Sequence, residues 1–310
     1  MIKIIFMGTP DFSVPVLKGI IDSDLYEVVG IVSQPDKKVG RHQILTPSPI
    51  SKVALDNNIK LLRIEKIKTN YEEVLDLKPD MIITCAYGQI IPKEILNYPK
   101  YGCINVHASL LPKYRGGAPI HRAIINGEEK TGITIMYMDE GMDTGDIITQ
   151  EEVQILNTDT VGVLHDKLSV VGKELLLKTL PDIINGKINR IKQDESKATF
   201  AYNIKREDEH INFNDNCKNI YNLVRGLNPF PGAFAILNGK IIKIYSGKIG
   251  NKINGKPGEI KGINKDGIIV NTLDYEFIIT EIQEEGKKRV IVKEYLNGKN
   301  KEDLIGKVFE

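Results

Sequence analysis

Short runs of β-branched and apolar residues alternate with helical segments through the first half of this sequence. Strands are predicted over Ile2–Met7, Tyr26–Ser33, Lys60–Leu62, Asp80–Ala86, Gly102–His107 and Gly132–Met138. Helices are predicted over Phe12–Ile21, Asn70–Leu77 and Ala118–Asn126. Strands that alternate with helices build a mostly parallel sheet with helices on both faces. The first half therefore predicts a Rossmann-like α/β fold, in which ligands bind outside the carboxyl ends of the strands.

The pattern changes in the second half of the chain. A long helix is predicted over residues 160–185, because Leu164, Leu168 and Leu175 share one apolar stripe. A polar segment follows, then a helix over Asp215–Leu227 and a series of short strands separated by turn signals. These strands are predicted over Ala233–Leu237, Lys240–Tyr245, Gly258–Ile263, Gly267–Asn271 and Phe277–Ile282. The second half thus predicts a small OB-like β-barrel, with a first domain over 1–189, a linker over 190–206 and a C-terminal domain over 207–310.

Charge and cysteine content restrict the classes of protein open to this chain. Lys plus Arg total 42 against 41 Asp plus Glu, so any nucleic-acid surface must come from local clustering. The three cysteines, Cys85, Cys103 and Cys217, have no paired spacing, and the histidines have no metal-ligand spacing. The opening apolar run is too short for a signal peptide, and no stretch reaches the length of a membrane span. We therefore expect a cytoplasmic protein that uses no metal and no membrane.

Three polar residues stand where this fold places its ligands. Asn105 and His107 are two apart on a predicted buried strand, so their side chains point to the same face. Asp143 follows the next predicted strand, in the loop DEGMDTGD, where an Asx turn is the better explanation of this aspartate taken alone. Together the three suit acyl transfer between two amines. Asn105 and a protonated His107 can donate to an oxyanion, while Asp143 orients the imidazole.

Two longer segments, NVHASLLPKYRGGAPIHRAI and TGITIMYMDEGMDTGDII, resemble the folate-dependent formyltransferases. The resemblance implies that Asn105, His107 and Asp143 are catalytic and that 10-formyltetrahydrofolate is the formyl donor. It also implies two groups of folate-binding residues. These are Ser109, Leu110, Leu111 and Pro112 after the Asn-His strand, and Cys85, Ala86, Tyr87 and Ile90 in the segment CAYGQII.

The resemblance covers essentially the whole chain for those members of the family that formylate the α-amino group of methionyl initiator tRNA for translation initiation. The segments that carry it are IIFMGTPDFSVPVL, SQPDKKVGRHQILTPSPI and RGLNPFPGAFA. It implies that Arg41 probes the acceptor end of the tRNA. We also expect the protein to be a monomer.

A separate signal for RNA lies in the predicted barrel. Between Asn238 and Lys265 there are seven lysines and one acid, a local balance of +6. Such a stripe favours contact with a nucleic-acid backbone. We therefore predict that Lys240, Lys243 and Lys248 contact the tRNA.

Alternatives stay open at this point. A glycinamide-ribonucleotide or amino-sugar formyltransferase, or a formyl-folate hydrolase, would use the same three residues on a small amine or on water. The first of these typically consists of the α/β domain alone, and the Gln34–Pro49 loop is the better discriminator from an amino-sugar enzyme. A catalytically silent RNA-binding protein on this scaffold is disfavoured by the intact set of Asn105, His107 and Asp143.

Overall fold

The structure is a computed structural model that describes residues 1–40, 42–252 and 255–310. The described chain divides into two compact units. Unit 1 consists of Met1–Pro119, Lys130–Gln154 and His165–Tyr202. Unit 2 consists of Ile120–Glu129, Ile155–Leu164 and Asn203–Glu310. The domain and linker boundaries predicted from the sequence stay predictions.

The first half of the chain alternates strands and helices, as the sequence pattern predicts. Its strands are β1 (Ile2–Gly8), β2 (Tyr26–Ser33), β3 (Lys37–Val39), β4 (Ile44–Thr46), β5 (Leu61–Arg63), β6 (Met81–Cys85), β7 (Cys103–His107), β8 (Lys130–Tyr137) and β9 (Ile147–Gln154). Its helices are α1 (Val14–Ile21), α2 (Pro49–Asp56), α3 (Glu72–Leu75), α4 (Lys93–Leu96), α5 (Pro119–Ile125) and α6 (Val161–Ile184). The Rossmann-like α/β prediction is confirmed.

The described residues of unit 1 contain a seven-stranded sheet with the order β5-β2-β1-β6-β7-β8-β9. Neighbouring strands from β5 to β7 are parallel, whereas β8 pairs antiparallel with both β7 and β9. Four successive residues of β1, Ile4 to Met7, are all fully buried. Since successive side chains of a strand point to opposite faces, both faces of the sheet are covered at this point.

Unit 2 contains most of the second half of the chain. Its elements there are α7 (Cys217–Gly226), β10 (Ala233–Leu237), β11 (Lys240–Lys252), β12 (Ile260–Ile263), β13 (Ile268–Asn271), β14 (Tyr275–Glu284), β15 (Val290–Ile291) and α8 (Val292–Tyr295). Its described strands form one antiparallel sheet with the order β10-β11-β14-β13-β12, and β15 pairs with β14. The helix α7 contributes Cys217, Ile220 and Val224 to a buried apolar cluster with the inner faces of these strands.

The last residues of the chain join the two ends of this strand order. Ile236 of β10 exchanges two main-chain hydrogen bonds of 2.8 Å with Glu310. Ile260 of β12 donates to the Lys307 carbonyl over 2.8 Å and accepts from the Gly306 amide over 2.9 Å. This segment therefore connects β10 to β12, which agrees with the barrel predicted from the sequence.

Two parts of unit 1 differ from the sequence prediction. The helix predicted over Asn70–Leu77 is wrong beyond one turn, α3, which has no side-chain cap at its start and is followed by Lys78 at φ +49°. The prediction also missed β9 and the β3–β4 hairpin, because their polar and exposed residues lack the apolar run that identifies a buried strand. Within the part of the chain that the structure describes, no helix is long and apolar enough to cross a membrane.

Candidate active site

The structure brings Asn105, His107 and Asp143 together on one face of the sheet. Asn105 Nδ2 lies 3.5 Å from Asp143 Oδ1, and His107 Nδ1 lies 3.7 Å from Asp143 Oδ2. The imidazole is buried, whereas Asn105 is half-buried. Asp143 side-chain exposure is 18%, so the cluster is open to solvent on the carboxylate side.

From the sequence we expect the loop after β7 and the Asp143 loop after β8 to leave the same edge of the sheet. In the structure they leave opposite edges. Because β8 runs antiparallel to β7, Tyr137 lies beside Ile104, at the end of β7 opposite to His107. The loop of residues 138–146 therefore folds back across the face of the sheet. Gly145 permits this return, since a Cβ there would lie 1.9 Å from the Tyr137 carbonyl oxygen.

The aspartates of the DEGMDTGD loop have different roles. Asp139 makes the Asx turn, because its Oδ1 accepts from the Gly141 amide over 3.0 Å and from the Thr144 hydroxyl over 2.7 Å. Asp143 has a left-handed backbone, with φ +55°, and its Oδ2 accepts from the Gly116 amide over 2.8 Å. The carboxylate of Asp143 is thus directed to the site, and the turn explanation applies to Asp139 instead.

The partners of His107 define which ring nitrogen faces the carboxylate. Nε2 lies 3.0 Å from the carbonyl oxygen of Tyr114, which can only accept, so Nε2 carries a hydrogen. Nδ1 is then the nitrogen that faces Asp143. A protonated imidazole can donate from Nδ1 to the carboxylate or to a group placed next to it.

Thr84, which the sequence analysis missed, orients the amide of Asn105. The two residues pair across β6 and β7, and the Thr84 hydroxyl lies 2.9 Å from Asn105 Oδ1, to which it donates. With its oxygen held in this way, Asn105 directs its NH2 group towards Asp143. A threonine within an apolar strand was the available signal, because a buried hydroxyl requires a partner.

The predicted folate loop after β7 is fixed by a hydroxyl and an amide from the neighbouring strands. Thr134 Oγ1 donates to the Ser109 carbonyl over 2.6 Å and accepts from the Leu111 amide over 3.1 Å. Gln150 Nε2 donates to the Leu111 carbonyl over 2.9 Å and to Thr134 Oγ1 over 2.8 Å. Leu111 itself is buried against Met136 and Ile147, so the loop presents a defined wall.

The segment predicted as a linker holds the site loops together. Gln193 Nε2 donates to the carbonyl oxygens of Asp143 and Gly145, each over 2.8 Å. Its Oε1 accepts from Arg115 Nη2 over 2.8 Å and from Arg115 Nε over 3.1 Å. One amide therefore joins the Asp143 loop to the loop that contains Arg115 and Gly116.

Arg115 has a second partner in the same segment. Its side chain is almost fully buried and donates to both carboxylate oxygens of Glu195, over 2.7 and 2.9 Å. These hydrogen bonds raise the pKa of Arg115 and lower that of Glu195. A buried guanidinium requires several hydrogen-bond acceptors placed opposite its N–H groups. The polarity of residues 190–206, interpreted from the sequence as a linker, thus includes the partners of a buried charge.

The second predicted folate segment lies at the end of β6, and its side chains point in different directions. Cys85 and Tyr87 are buried, whereas Ala86 and Ile90 are exposed. Burial raises the pKa of Cys85 to about 12 and that of Tyr87 to about 12. The Tyr87 hydroxyl has no hydrogen-bond partner among the described residues. Of this segment, the side chain of Ile90 is therefore the one best placed to contact a ligand.

A cavity of about 200 Å³ opens between this segment and the Asp143 loop. Its lining is mainly apolar and includes Gln89, Ile90, Ile91, Met136, Met138, Asp139, Glu140, Gly141, Met142 and Asp143. Pockets for drug-sized ligands are roughly 300–1,000 Å³, so this space suits one planar ring system rather than a whole folate. Apolar walls with a carboxylate at one end fit such a ring.

Of the predicted tRNA contacts, the three lysines belong to unit 2. Arg41 falls outside the described residues. In unit 2, Lys240 is exposed, Lys243 donates to the Pro231 carbonyl over 2.6 Å, and Lys248 pairs with Asp266 over 3.3 Å. Lys240 is therefore the best placed of the three to meet a phosphate. No group of three His, Cys, Asp or Glu side chains that could hold a metal ion was found among the residues whose positions are described.

The fold and the cluster of Asn105, His107 and Asp143 are accompanied by two family matches. Residues 2–180 match the model for formyl transferase, and residues 203–300 match that for the formyl transferase C-terminal domain. The chain belongs to the formyltransferase family.

Several relatives that share one name are highly identical to this chain in sequence. A methionyl-tRNA formyltransferase of Bacillus cytotoxicus is 55% identical over 302 residues, 96% of each chain. That of Bacillus subtilis is 52% identical over 312 residues, 99% of this chain and 98% of its own. Among solved structures, the sugar 3N-formyl transferase WlaRD, studied in the presence of dTDP and 5-N-formyl-THF, is 27% identical. It covers 93% of this chain and 99% of its own, with a TM-score of 0.66.

Proposed function

We propose that this protein transfers the formyl group of 10-formyltetrahydrofolate to the α-amino group of methionyl initiator tRNA, for translation initiation. The observation that carries the proposal is the cluster of Asn105, His107 and Asp143 in a chain of this family. The choice of methionyl-tRNA as the acceptor is supported by relatives of that name, which are more than 50% identical over nearly their full length.

The chemistry required is acyl transfer between two nitrogens. A carbon–nitrogen bond forms to the attacking amine, the bond from the formyl carbon to the donor nitrogen breaks, and one proton moves from the amine to the leaving nitrogen. Negative charge develops on the formyl oxygen while the amine becomes positive. Donors aimed at that oxygen and an acceptor near the amine are therefore the groups that lower the barrier.

The three residues meet these requirements. Asn105 has a second amide hydrogen beyond the one directed at Asp143, and His107 can donate from Nδ1 when protonated. Both are thus available to the developing oxyanion. The carboxylate of Asp143 stabilises the imidazolium and can accept the proton from the amine, directly or through water.

The formyl donor requires a surface for its planar ring. The cavity beside Asp143 has apolar walls from Ile90, Met136 and Met138 and is close to the size of one ring system. We propose that these residues bind the ring and that the loop of residues 109–112 forms the adjoining wall. With the ring there, the formyl group would lie towards Asp143.

The acceptor tRNA would engage both units separately. We propose that Arg41 contacts the acceptor end and that Lys240 and Lys248 contact phosphates. A monomer working in the cytoplasm, where methionyl-tRNA is made and used, fits this role.

The decisive experiment is to incubate the protein with 10-formyltetrahydrofolate and methionyl initiator tRNA. We expect formylmethionine on the RNA, scored after mild hydrolysis of the ester. Parallel reactions contain a dTDP-amino sugar, glycinamide ribonucleotide or no acceptor. Formylation of a small amine with none of the tRNA, or release of formate alone, would contradict the proposal.

A further inference from the structure

We propose that Phe200 and Tyr202 form a stacking surface for an unpaired nucleobase at the 3′ end of the RNA substrate. The two rings are stacked on each other, with centroids 5.8 Å apart and an interplanar angle of 10°. They are 49% and 63% exposed, whereas Ala201 between them is fully buried. This inference rests on the proposed function, since it names a further contact of the same acceptor.

The local backbone explains why both rings face solvent. Residues two apart in an extended segment place their side chains on the same side. Ala201 is turned inwards because its amide donates to the Arg115 carbonyl over 2.7 Å, and its carbonyl accepts from the Ala118 amide over 3.0 Å. The stacked pair is consequently held by the main chain on either side of Ala201.

The same hydrogen bonds place the pair next to the candidate active site. Gly116, whose amide donates to Asp143 Oδ2 over 2.8 Å, lies between Asp143 and Ala201. A Cβ on Gly116 would come within 3.0 Å of the Ala201 carbonyl oxygen. The main chain of Ala201, between the two aromatic residues, is thus separated by Gly116 from the carboxylate that we propose accepts the proton from the amine.

A nucleobase fits this surface for chemical and geometric reasons. The amine to be formylated belongs to an amino acid esterified to the terminal ribose, so the terminal base must lie near the reacting centre. Aromatic side chains stack on any base, because every base has a planar face. The two rings already restrict each other, so little side-chain freedom remains to be lost on binding.

The test uses the absence of tryptophan from the sequence. Phe200→Trp introduces a single indole at the proposed surface, and a stacked base quenches indole fluorescence. The variant is titrated with an RNA hairpin that ends in a single-stranded CCA and with the same hairpin lacking these three nucleotides. We expect quenching by the first hairpin only. Equal quenching by both, or by neither, overturns the proposal, as does quenching by a folate alone.

Steady-state kinetics provide a second test of the stacking surface that does not use the indole. Loss of one stacked base corresponds to a change of about 5- to 150-fold in affinity. Phe200→Ala should therefore raise KM for methionyl-tRNA about tenfold, with KM for the formyl donor unchanged. Tyr98→Ala, which removes an exposed tyrosine elsewhere in unit 1, serves as the matched control and should alter neither value. An unchanged KM for RNA in Phe200→Ala sinks the stacking surface, whereas absent formylation by the unmodified protein sinks the proposed function.

Discussion

The imidazole of His107 and the carboxylate of Asp143 face each other across 3.7 Å, with Nδ1 as the nitrogen nearer to the carboxylate. Since Nε2 is directed to the Tyr114 carbonyl, a neutral His107 would present a lone pair to Asp143. A protonated His107 would instead direct an Nδ1–H towards the carboxylate. The geometry therefore places an imidazole nitrogen beside a carboxylate, the acid–base pair that the proposed acyl transfer uses.

Removal of either proposed oxyanion donor should slow turnover. We expect Asn105→Ala and His107→Ala each to lower kcat roughly 10²- to 10³-fold, with binding of folate retained. Asp143→Asn should also lower kcat, because Asp143 accepts from both Asn105 and the Gly116 amide, and an amide has only one oxygen to offer them. Single-turnover formylation measures these effects. Rates within a few fold of the parent in both Ala variants would refute the assignment.

Gln193 should act as a positioning residue for the Asp143 loop. Gln193→Glu retains an acceptor for Arg115 but loses the NH2 group that donates to the Asp143 and Gly145 carbonyls. We expect kcat to fall on the order of 10- to 100-fold, since small displacements of a catalytic group cost that much, with KM for tRNA nearly unchanged. Lys192→Ala, beside it and exposed, is the control. A lowered melting temperature with an unaltered kcat would indicate a purely structural role.

The folate wall is better tested at Ile90 than at Leu111. Leu111 is buried with Met136 and Ile147, so a charge there would disturb folding. Ile90 is 84% exposed at the cavity, and Ile90→Asp should weaken folate binding by roughly 1–3 kcal/mol because the carboxylate loses water against an apolar ring. Equilibrium dialysis of the folate measures this.

The control is Ile305→Asp, another exposed isoleucine, which should leave folate affinity unchanged. Both changes should alter stability by no more than about 0.5 kcal/mol. If the two variants bind folate with equal affinity, Ile90 does not contact the folate.

Substitution of Lys240 should affect tRNA binding, whereas substitution of Lys243 should affect stability. Lys240→Ala should reduce the slope of log affinity against log salt by about one, and should weaken initiator and elongator tRNA alike. Lys243→Ala should instead reduce the free energy of unfolding, because its ammonium group bonds to the Pro231 carbonyl. Filter binding over a salt series, together with urea denaturation, separates the two. The division fails if Lys240→Ala leaves the salt slope as it was.

Acid should weaken unit 2 through Glu284. Ion pairs with Lys287 and Lys299 lower its pKa from 4.5 to about 2. A lowered folded-state pKa contributes stability that is present above pH 4.5 and is lost as pH falls towards 2. Glu284→Gln should remove about 1 kcal/mol at neutral pH and flatten the pH dependence in that window. Glu285→Gln, an exposed neighbour, should retain the full dependence in denaturation measured from pH 7 to 2.

The sequence predicted the buried strands well, because an apolar run such as Met81–Cys85 identifies a strand without knowledge of its neighbours. Strand direction was harder to predict. β8 runs antiparallel to β7, and neither its own apolar pattern nor the polar residues of β9 indicate this direction. The prediction accordingly placed the Asp143 loop at the wrong edge of the sheet, although the structure does bring Asp143 next to Asn105 and His107.

The partners that orient the site could not be predicted for a related reason. Thr84, Gln150 and Gln193 are separated by tens of residues from the groups they bond. Thr84 stands out only as a hydroxyl in an apolar strand, which does not identify its partner, and Gln150 and Gln193 are ordinary polar residues in their segments. Their roles arise from pairing between distant segments, which only the folded chain specifies. The role of Arg115 is of the same kind, since a lone arginine in a loop normally indicates a solvated charge.

The closure of the unit 2 barrel by residues 306–310 has a consequence for the protein during its synthesis. Ile236 and Ile260 receive their last partners from Glu310 and Lys307, which the ribosome adds 74 and 47 residues after them. Until those residues emerge, β10 and β12 retain unpaired main-chain groups that can pair with another nascent chain. The barrel can therefore be completed only after residues 306–310 have been synthesised, whereas the sheet of unit 1 has all its strands much earlier.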